Sequence, residues 1–299
     1  MKNTVVFGIF SGIFLYVIIG YGLGRIRNAS IRGAIDVLMG LVTYLVVPVF
    51  IVTSVWSVRT GILPVLKISG VAAAVIATGG LFAAVFSKRY GLPFREACLP
   101  IMFMNSAFMA IPLNTLFFGK EGAVYAIVYN TVMMVLLFTL GIYLVSRKSG
   151  LSQVFKMPII YAAVAGLGLN LAGAEEPVFL VKFSGILNKT ACSLMLVLVG
   201  YQMDLKSRAG LKLAFIGSLF RYACGFSVSV ILVMLFSMKG AMAGTAVLSS
   251  TMPAAVFTYM VAQKYDSNPE FAASVIFIGT VLSVGVISLM GVVFARVPG

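Results

Sequence analysis

The chain has 299 residues, 61% of them apolar and only 10% charged, with a mean hydropathy of +1.08. A water-soluble domain carries about 25% charged residues, so this sequence cannot cover a soluble surface and reads as a polytopic membrane protein. Histidine is absent, which excludes Ser-His and Cys-His catalytic pairs and removes the commonest metal ligand.

The formal charge of +14 comes from 22 basic and 8 acidic residues. The basic residues fall in small groups between apolar runs, as topology signals do, and form no continuous face for nucleic acid. Cys98, Cys192 and Cys224 lie far apart in apolar stretches, without the spacing of a metal site or a disulfide framework. Neither a cofactor nor a metal is implied.

In chain order, eight windows of 18 or more residues hold no charged side chain: Asn3–Gly24, Val37–Val58, Ile68–Ser87, Ala97–Gly119, Gly122–Ser146, Met157–Ala174, Gly240–Gln263 and Phe271–Ala295. Each can cross a bilayer, which takes roughly 20 residues. Two further stretches, 183–203 and 213–238, carry one interior cation each, Lys189 and Arg221. The pattern predicts ten helical spans, because the runs are continuous rather than alternating as in barrel strands. Arg25, Arg27 and Arg32 follow the first window, so it reads as a span rather than a cleavable signal peptide.

Alternate connections divide the Lys and Arg residues of the loops and termini thirteen to seven. The richer set, which includes Lys88, Arg89, Arg147, Lys148, Lys206 and Lys264, is expected on the cytoplasmic side, with both termini outside. The longest polar connection lies at 147–156. It separates a first five-span half, 1–146, from a second, 157–299. An odd number of spans per half makes two such units inverted repeats, as in many secondary transporters.

Of the ten prolines, Pro64, Pro93, Pro100, Pro158, Pro177 and Pro269 are expected at or before the first turn of a span, where a missing N–H costs little. Pro48, Pro112 and Pro253 lie deeper. Pro112 and Pro253 occupy the fourth span of their respective halves, and each follows hydrogen-bonding residues: Asn105 and Ser106 before one, Ser249, Ser250 and Thr251 before the other. A proline inside a helix frees a carbonyl and bends the axis. Two such breaks in corresponding spans point to a binding site at mid-depth, and ordinary kinks satisfied locally by Ser and Thr are the bland alternative. Helix segments that begin after a break present N–H groups and a partial positive charge, which favour an anion.

Arg221 lies about eight residues into its span, near 12 Å along the axis. It either faces the site, snorkels to the cytoplasmic surface or ties backbone carbonyls. Asn130 in the fifth span reads as a site residue or an interhelical bond, and Asn114 and Asn170 carry less weight. The Gly8–Gly12, Gly20–Gly24 and Gly240–Gly244 spacings are assigned to helix packing. The acidic residues Asp36, Glu96, Glu121, Asp204, Asp266 and Glu270 lie near span ends, and Glu175 and Glu176 share an outer loop. No nucleophile–base pair or carboxylate pair stands at membrane depth, so an enzyme is not expected.

The motifs resemble those of the auxin efflux carrier family, in its short bacterial form. They run in order through nearly the whole chain: Leu45-Val46-Val47-Pro48-Val49-Phe50, Lys88-Arg89-Tyr90-Gly91-Leu92, Asn105-Ser106-Ala107-Phe108-Met109-Ala110-Ile111-Pro112-Leu113, Gly119-Lys120-Glu121-Gly122, Tyr129-Asn130, Met252-Pro253-Ala254 and Pro269-Glu270-Phe271-Ala272-Ala273. Alanines replace both glycines of the family's first crossover. Met133 and Met134 stand where asparagines often occur, and Ser249-Ser250 where many members place a glutamate.

The resemblance implies a ten-helix, inverted-repeat carrier with crossed, broken fourth and ninth helices. It also implies movement of organic anions such as carboxylates by alternating access across the bacterial cytoplasmic membrane. Spans one, two, six and seven would form the scaffold, the others a moving part, and a homodimer follows by analogy. The expected substrate contacts are Asn105, Ser106, Pro112, Asn130, Arg221, Ser249, Ser250, Thr251 and Pro253. A sodium-coupled symporter of the related bile-acid-symporter architecture is the alternative.

Overall fold

The computed structural model describes residues 2–25, 29–58, 60–146, 155–202 and 208–296. Arg27, Arg59, Asp204, Lys206 and most of the expected linker at 147–156, with Arg147 and Lys148, lie outside the described residues, as does the side chain of Cys192. Backbone in hydrocarbon must bond to itself, which long apolar runs achieve as helices. Among the described residues every regular element is helical.

The elements are α1 (Lys2–Gly24), α2 (Ala29–Leu41), a π turn (Val42–Val46) leading into α3 (Val47–Trp56), α4 (Ile62–Tyr90), α5 (Phe94–Met102) and α6 (Ala110–Leu136). A second π turn (Leu137–Gly141) then leads into α7 (Ile142–Val145). After it come α8 (Pro158–Leu171), α9 (Val178–Gln202), α10 (Arg208–Leu235), α11 (Gly240–Ser250), α12 (Val256–Lys264) and α13 (Pro269–Arg296).

Among the described residues six helical stretches are long and apolar enough to cross a membrane: Val37–Trp56, Ile62–Tyr90, Ala110–Val145, Val178–Tyr201, Gly210–Leu235 and Pro269–Gly291. Ser11–Gly24 and Pro158–Leu171 are shorter apolar helices. The windows expected to be the fourth and ninth spans are each split, the first between α5 and α6 and the second between α11 and α12. Within α6 the chain bends at Gly119, where φ is 64° and ψ −150°, a conformation essentially confined to glycine.

The prolines refine the expectation. Pro48 lies inside a continuous helical run, directly after the π turn that joins α2 to α3, so it is deep as expected and its missing N–H removes a bond to the preceding turn. Pro100, expected in a first turn, is instead inside α5, near its buried end. Because α5 already starts at Phe94, the carbonyl of Glu96 loses its helical donor there.

Packing divides the helices into two groups. In one, α1 lies on α9 and α3 on α8. In the other, α4, α5, α6, α10, α11 and α13 pack on one another. The Arg95 guanidinium, at the start of α5, donates to the carbonyls of Val145, Tyr265 and Asp266 at 3.2, 3.0 and 3.1 Å, tying the ends of α7 and α12 together.

The α1–α9 contact is made through backbone. A Cβ placed on Gly20 would lie 1.8 Å from the Val197 carbonyl oxygen, and one on Gly200 would lie 2.0 Å from that of Val17. Gly24 likewise meets Tyr201 and Gly244 meets Phe118, whereas Gly8 and Gly12 face open space. Of the three glycine pairs expected to pack, only Gly20–Gly24 does so at both positions. Gly20→Ala is therefore expected to destabilise the protein by about 1–3 kcal/mol, the cost of overpacking a tight contact, while Gly12→Ala leaves it unchanged. Thermal unfolding of the purified variants in detergent checks the difference.

Candidate functional site

The two interrupted spans meet at their breaks. The Asn105 amide donates to the Pro253 carbonyl at 2.7 Å and the Ala255 amide to the Phe103 carbonyl at 3.0 Å, so Met104 and Ala254 form an antiparallel bridge. Pro253 has no N–H to offer, and its carbonyl is used instead. The pairing satisfies amide groups that a break would otherwise leave exposed in a dry interior, where an unpaired polar group is costly.

Four helix ends converge on this bridge. The C-terminal ends of α5 at Met102 and of α11 at Ser250 lie before the breaks, and the N-terminal ends of α6 at Ala110 and of α12 at Val256 lie after them. Neither N-terminal end carries a side-chain cap. The first turn of a helix holds N–H groups without intrahelical partners. Here they sit beside Phe108, Ile111 and Pro112 on one side and fully buried Ala255 and Val256 on the other.

All nine residues expected at the site cluster at this crossing. The Asn105 side-chain oxygen accepts from the Phe108 amide at 3.2 Å, shaping the turn before α6. The Ser106 hydroxyl donates to Asn130 Oδ1 at 2.9 Å. The Ser249 hydroxyl accepts from Asn114 Nδ2 at 3.1 Å, and that of Ser250 shares a bond of 2.8 Å with the Tyr129 hydroxyl. Thr251 bonds back to the Val247 carbonyl at 2.7 Å, and Pro112 sits in the first turn of α6. Ser106, Asn130, Ser249 and Ser250 are wholly buried, and Asn105 is 6% exposed. Asn130 Nδ2 and Asn114 Oδ1 are buried without a hydrogen-bond partner among the described residues.

Arg221, on α10, is fully buried. Its guanidinium donates to the carbonyls of Ile101 and Met102 at 3.0 and 2.8 Å and to that of Ser250 at 2.8 Å. Of the three roles open to it from sequence, the tie to backbone carbonyls is the one observed, and it joins the ends of α5 and α11. Lys189, by contrast, is exposed.

Tyr129 and Asn114 belong to this network, although sequence spacing assigned Tyr129 no part and Asn114 little. The adjacency of Tyr129 to Asn130 was the available signal: neighbouring residues about 100° apart on a helix both reach a partner that crosses it. Asn170 instead bonds the Trp56 and Val58 carbonyls at 2.9 and 2.8 Å, far from the crossing. A cleft of about 360 Å³ opens elsewhere, between the α2–α3 span and α12, lined by Met39, Gly40, Thr43, Tyr44, Met260, Gln263 and Lys264.

An apolar helical bundle with several helices of membrane-crossing length, two of its windows broken and paired inside, defines a multi-pass membrane protein. The sequence profile described as membrane transport protein matches residues 142–290, about half of the chain. An uncharacterized transporter of Methanocaldococcus jannaschii is 27% identical over 200 residues, 64% of this chain and 65% of that protein, just under two thirds of the relative's length. An uncharacterized transporter of Methanothermobacter thermautotrophicus is 25% identical over 224 residues, 72% of this chain and 74% of the relative. Through this region and these relatives the chain is similar to a membrane transport family, in line with the auxin-efflux-carrier motifs of its sequence. The matched region includes Arg221, Ser250 and Pro253.

The Tyr129–Ser250 bond links the fifth and ninth windows at the crossing. Tyr129→Phe and Ser250→Ala are each expected to cost about 1–2 kcal/mol, and the double variant about 1 kcal/mol less than the sum, because both remove the same buried bond. Unfolding measured for the full cycle checks the coupling.

Proposed function

We propose that this protein is a secondary transporter that moves a small organic anion, carboxylate in type, across the bacterial cytoplasmic membrane by alternating access. The observation that carries the reading is the pair of uncapped helix N-termini, those of α6 and α12, set at a buried crossing. Such ends attract negative charge without a fixed cation at the ligand, and proline-broken helices at mid-depth are where secondary transporters place their substrates. The spare donor of Asn130 and the slight exposure of Asn105 add polar capacity beside those ends. On this reading Asn105, Ser106, Pro112, Asn130, Ser249, Ser250, Thr251 and Pro253 form or shape the substrate site, and Arg221 sets its field.

The proposed architecture is ten spans in two inverted halves, 1–146 and 157–299, joined by a cytoplasmic connection at 147–156, with both termini outside. The two packing groups support a division of labour: α1, α3, α8 and α9 as scaffold, the group around the crossing as the part that moves. The cleft between the α2–α3 span and α12 lies between these groups, with Lys264 at its edge bonded to the Tyr44 hydroxyl at 2.8 Å. It is a route by which an anion reaches the crossing from one side. A homodimer is part of the proposal by family analogy alone.

Flux of labelled carboxylates into proteoliposomes tests the reading. At least one small carboxylate is expected to be carried, with Asn105→Ala and Pro112→Ala each lowering its rate by about tenfold or more, equivalent to about 1.4 kcal/mol in the barrier. Unchanged flux in variants that remain folded would remove the crossing as the substrate site.

A further inference from the structure

Arg221 raises a question that the substrate site does not answer. A guanidinium has been placed at full burial among apolar helices, a costly location for a charge, and among the described residues no carboxylate pairs with it. Its hydrogen bonds go only to backbone carbonyls: Ile101 and Met102 on α5, Ser250 on α11. These are the last carbonyls before each break, the negative ends of two helix dipoles. Gly225, one turn along α10, makes the approach feasible. A Cβ there would lie 2.5 Å from Arg221 Nη2 and 2.0 Å from the Ser250 carbonyl oxygen.

Carbonyl oxygens at the ends of interrupted helices are the groups with which transporters coordinate a free monovalent cation such as sodium. Here the same kind of oxygen set, drawn from both broken spans, is already filled by a cation attached to the chain. We propose that Arg221 is a tethered cation occupying what would otherwise be a cation site between α5 and α11, and that the protein therefore takes up no free cation at this position. The consequence is structural as well as ionic: one fixed charge holds both breaks together whether or not a substrate is present. In its bearing on coupling the inference rests on the transport reading above, and it places substrate movement out of reach of sodium at the crossing.

The test uses thermal unfolding of the purified full-length chain in choline chloride, sodium chloride, and choline chloride with millimolar guanidinium, for wild type, Arg221→Ala and Arg221→Lys. The wild type is expected to unfold at the same temperature in all three to within about 1 °C, and Arg221→Ala to unfold earlier in choline and to regain about 4 °C when sodium or guanidinium stands roughly a hundredfold above its Kd. Arg221→Lys, which keeps the charge, should stay indifferent to added cation. A folded Arg221→Ala that ignores both cations would overturn the proposal, as would a wild type stabilised by sodium over choline. Should Arg221→Ala fail to fold, a sodium-stabilised Arg221→Lys would do the same. Unfolding requires no substrate, so failure to carry any carboxylate sinks the transport reading and leaves this result intact.

Discussion

Two polypeptide segments that stop being helical inside an apolar bundle must find partners for their amides without water. Here they find each other. The short antiparallel pairing of Met104 with Ala254 satisfies the strands of both breaks, and everything around it is arranged to keep them in register. Ser249 bonds Asn114, which joins the two broken spans directly, while Ser106 bonds Asn130 and Ser250 bonds Tyr129, so each broken span is also fastened to the fifth window further along α6. An unpaired polar group is costly in a low-dielectric interior, which favours gathering the interior polar residues at one place where most of their groups bond one another, Asn130 Nδ2 and Asn114 Oδ1 being left over among the described residues.

The helix ends at the crossing are treated unequally. Arg221 covers the two negative ends with one buried charge, and the two positive ends carry no side-chain cap. An interior built this way leaves the two positive helix ends without a side-chain partner while the negative ends already hold a cation, an asymmetry of helix dipoles.

The legible part of the fold came from composition and from proline. Continuous apolar runs mark spans because hydrocarbon permits few alternatives to a helix, and Pro112 with Pro253 marked the interrupted ones. The interruptions themselves are less local than the prolines suggest. The first lies at 103–109, with Pro112 already inside the following helix, while Pro253 stands within the second. The chain breaks where it can pair across to its counterpart, not where the ring alone would force it. The π turns at Val42–Val46 and Leu137–Gly141 had no sequence signal, since they depend on how neighbouring helices are packed.

Sequence by itself determined that this chain belongs in a membrane, that its regular structure is helical, which residue types could stand at a mid-depth site, and that Arg221 lay within a span with three roles open to it. These follow from solvation, which acts residue by residue and leaves its trace in the order of side chains. Tertiary structure alone decided what Arg221 touches, that Tyr129 and Asn114 join the crossing while Asn170 does not, and which glycines meet a neighbouring backbone. Those outcomes depend on distances between segments more than a hundred residues apart in the chain, and no local pattern encodes a distance of that kind.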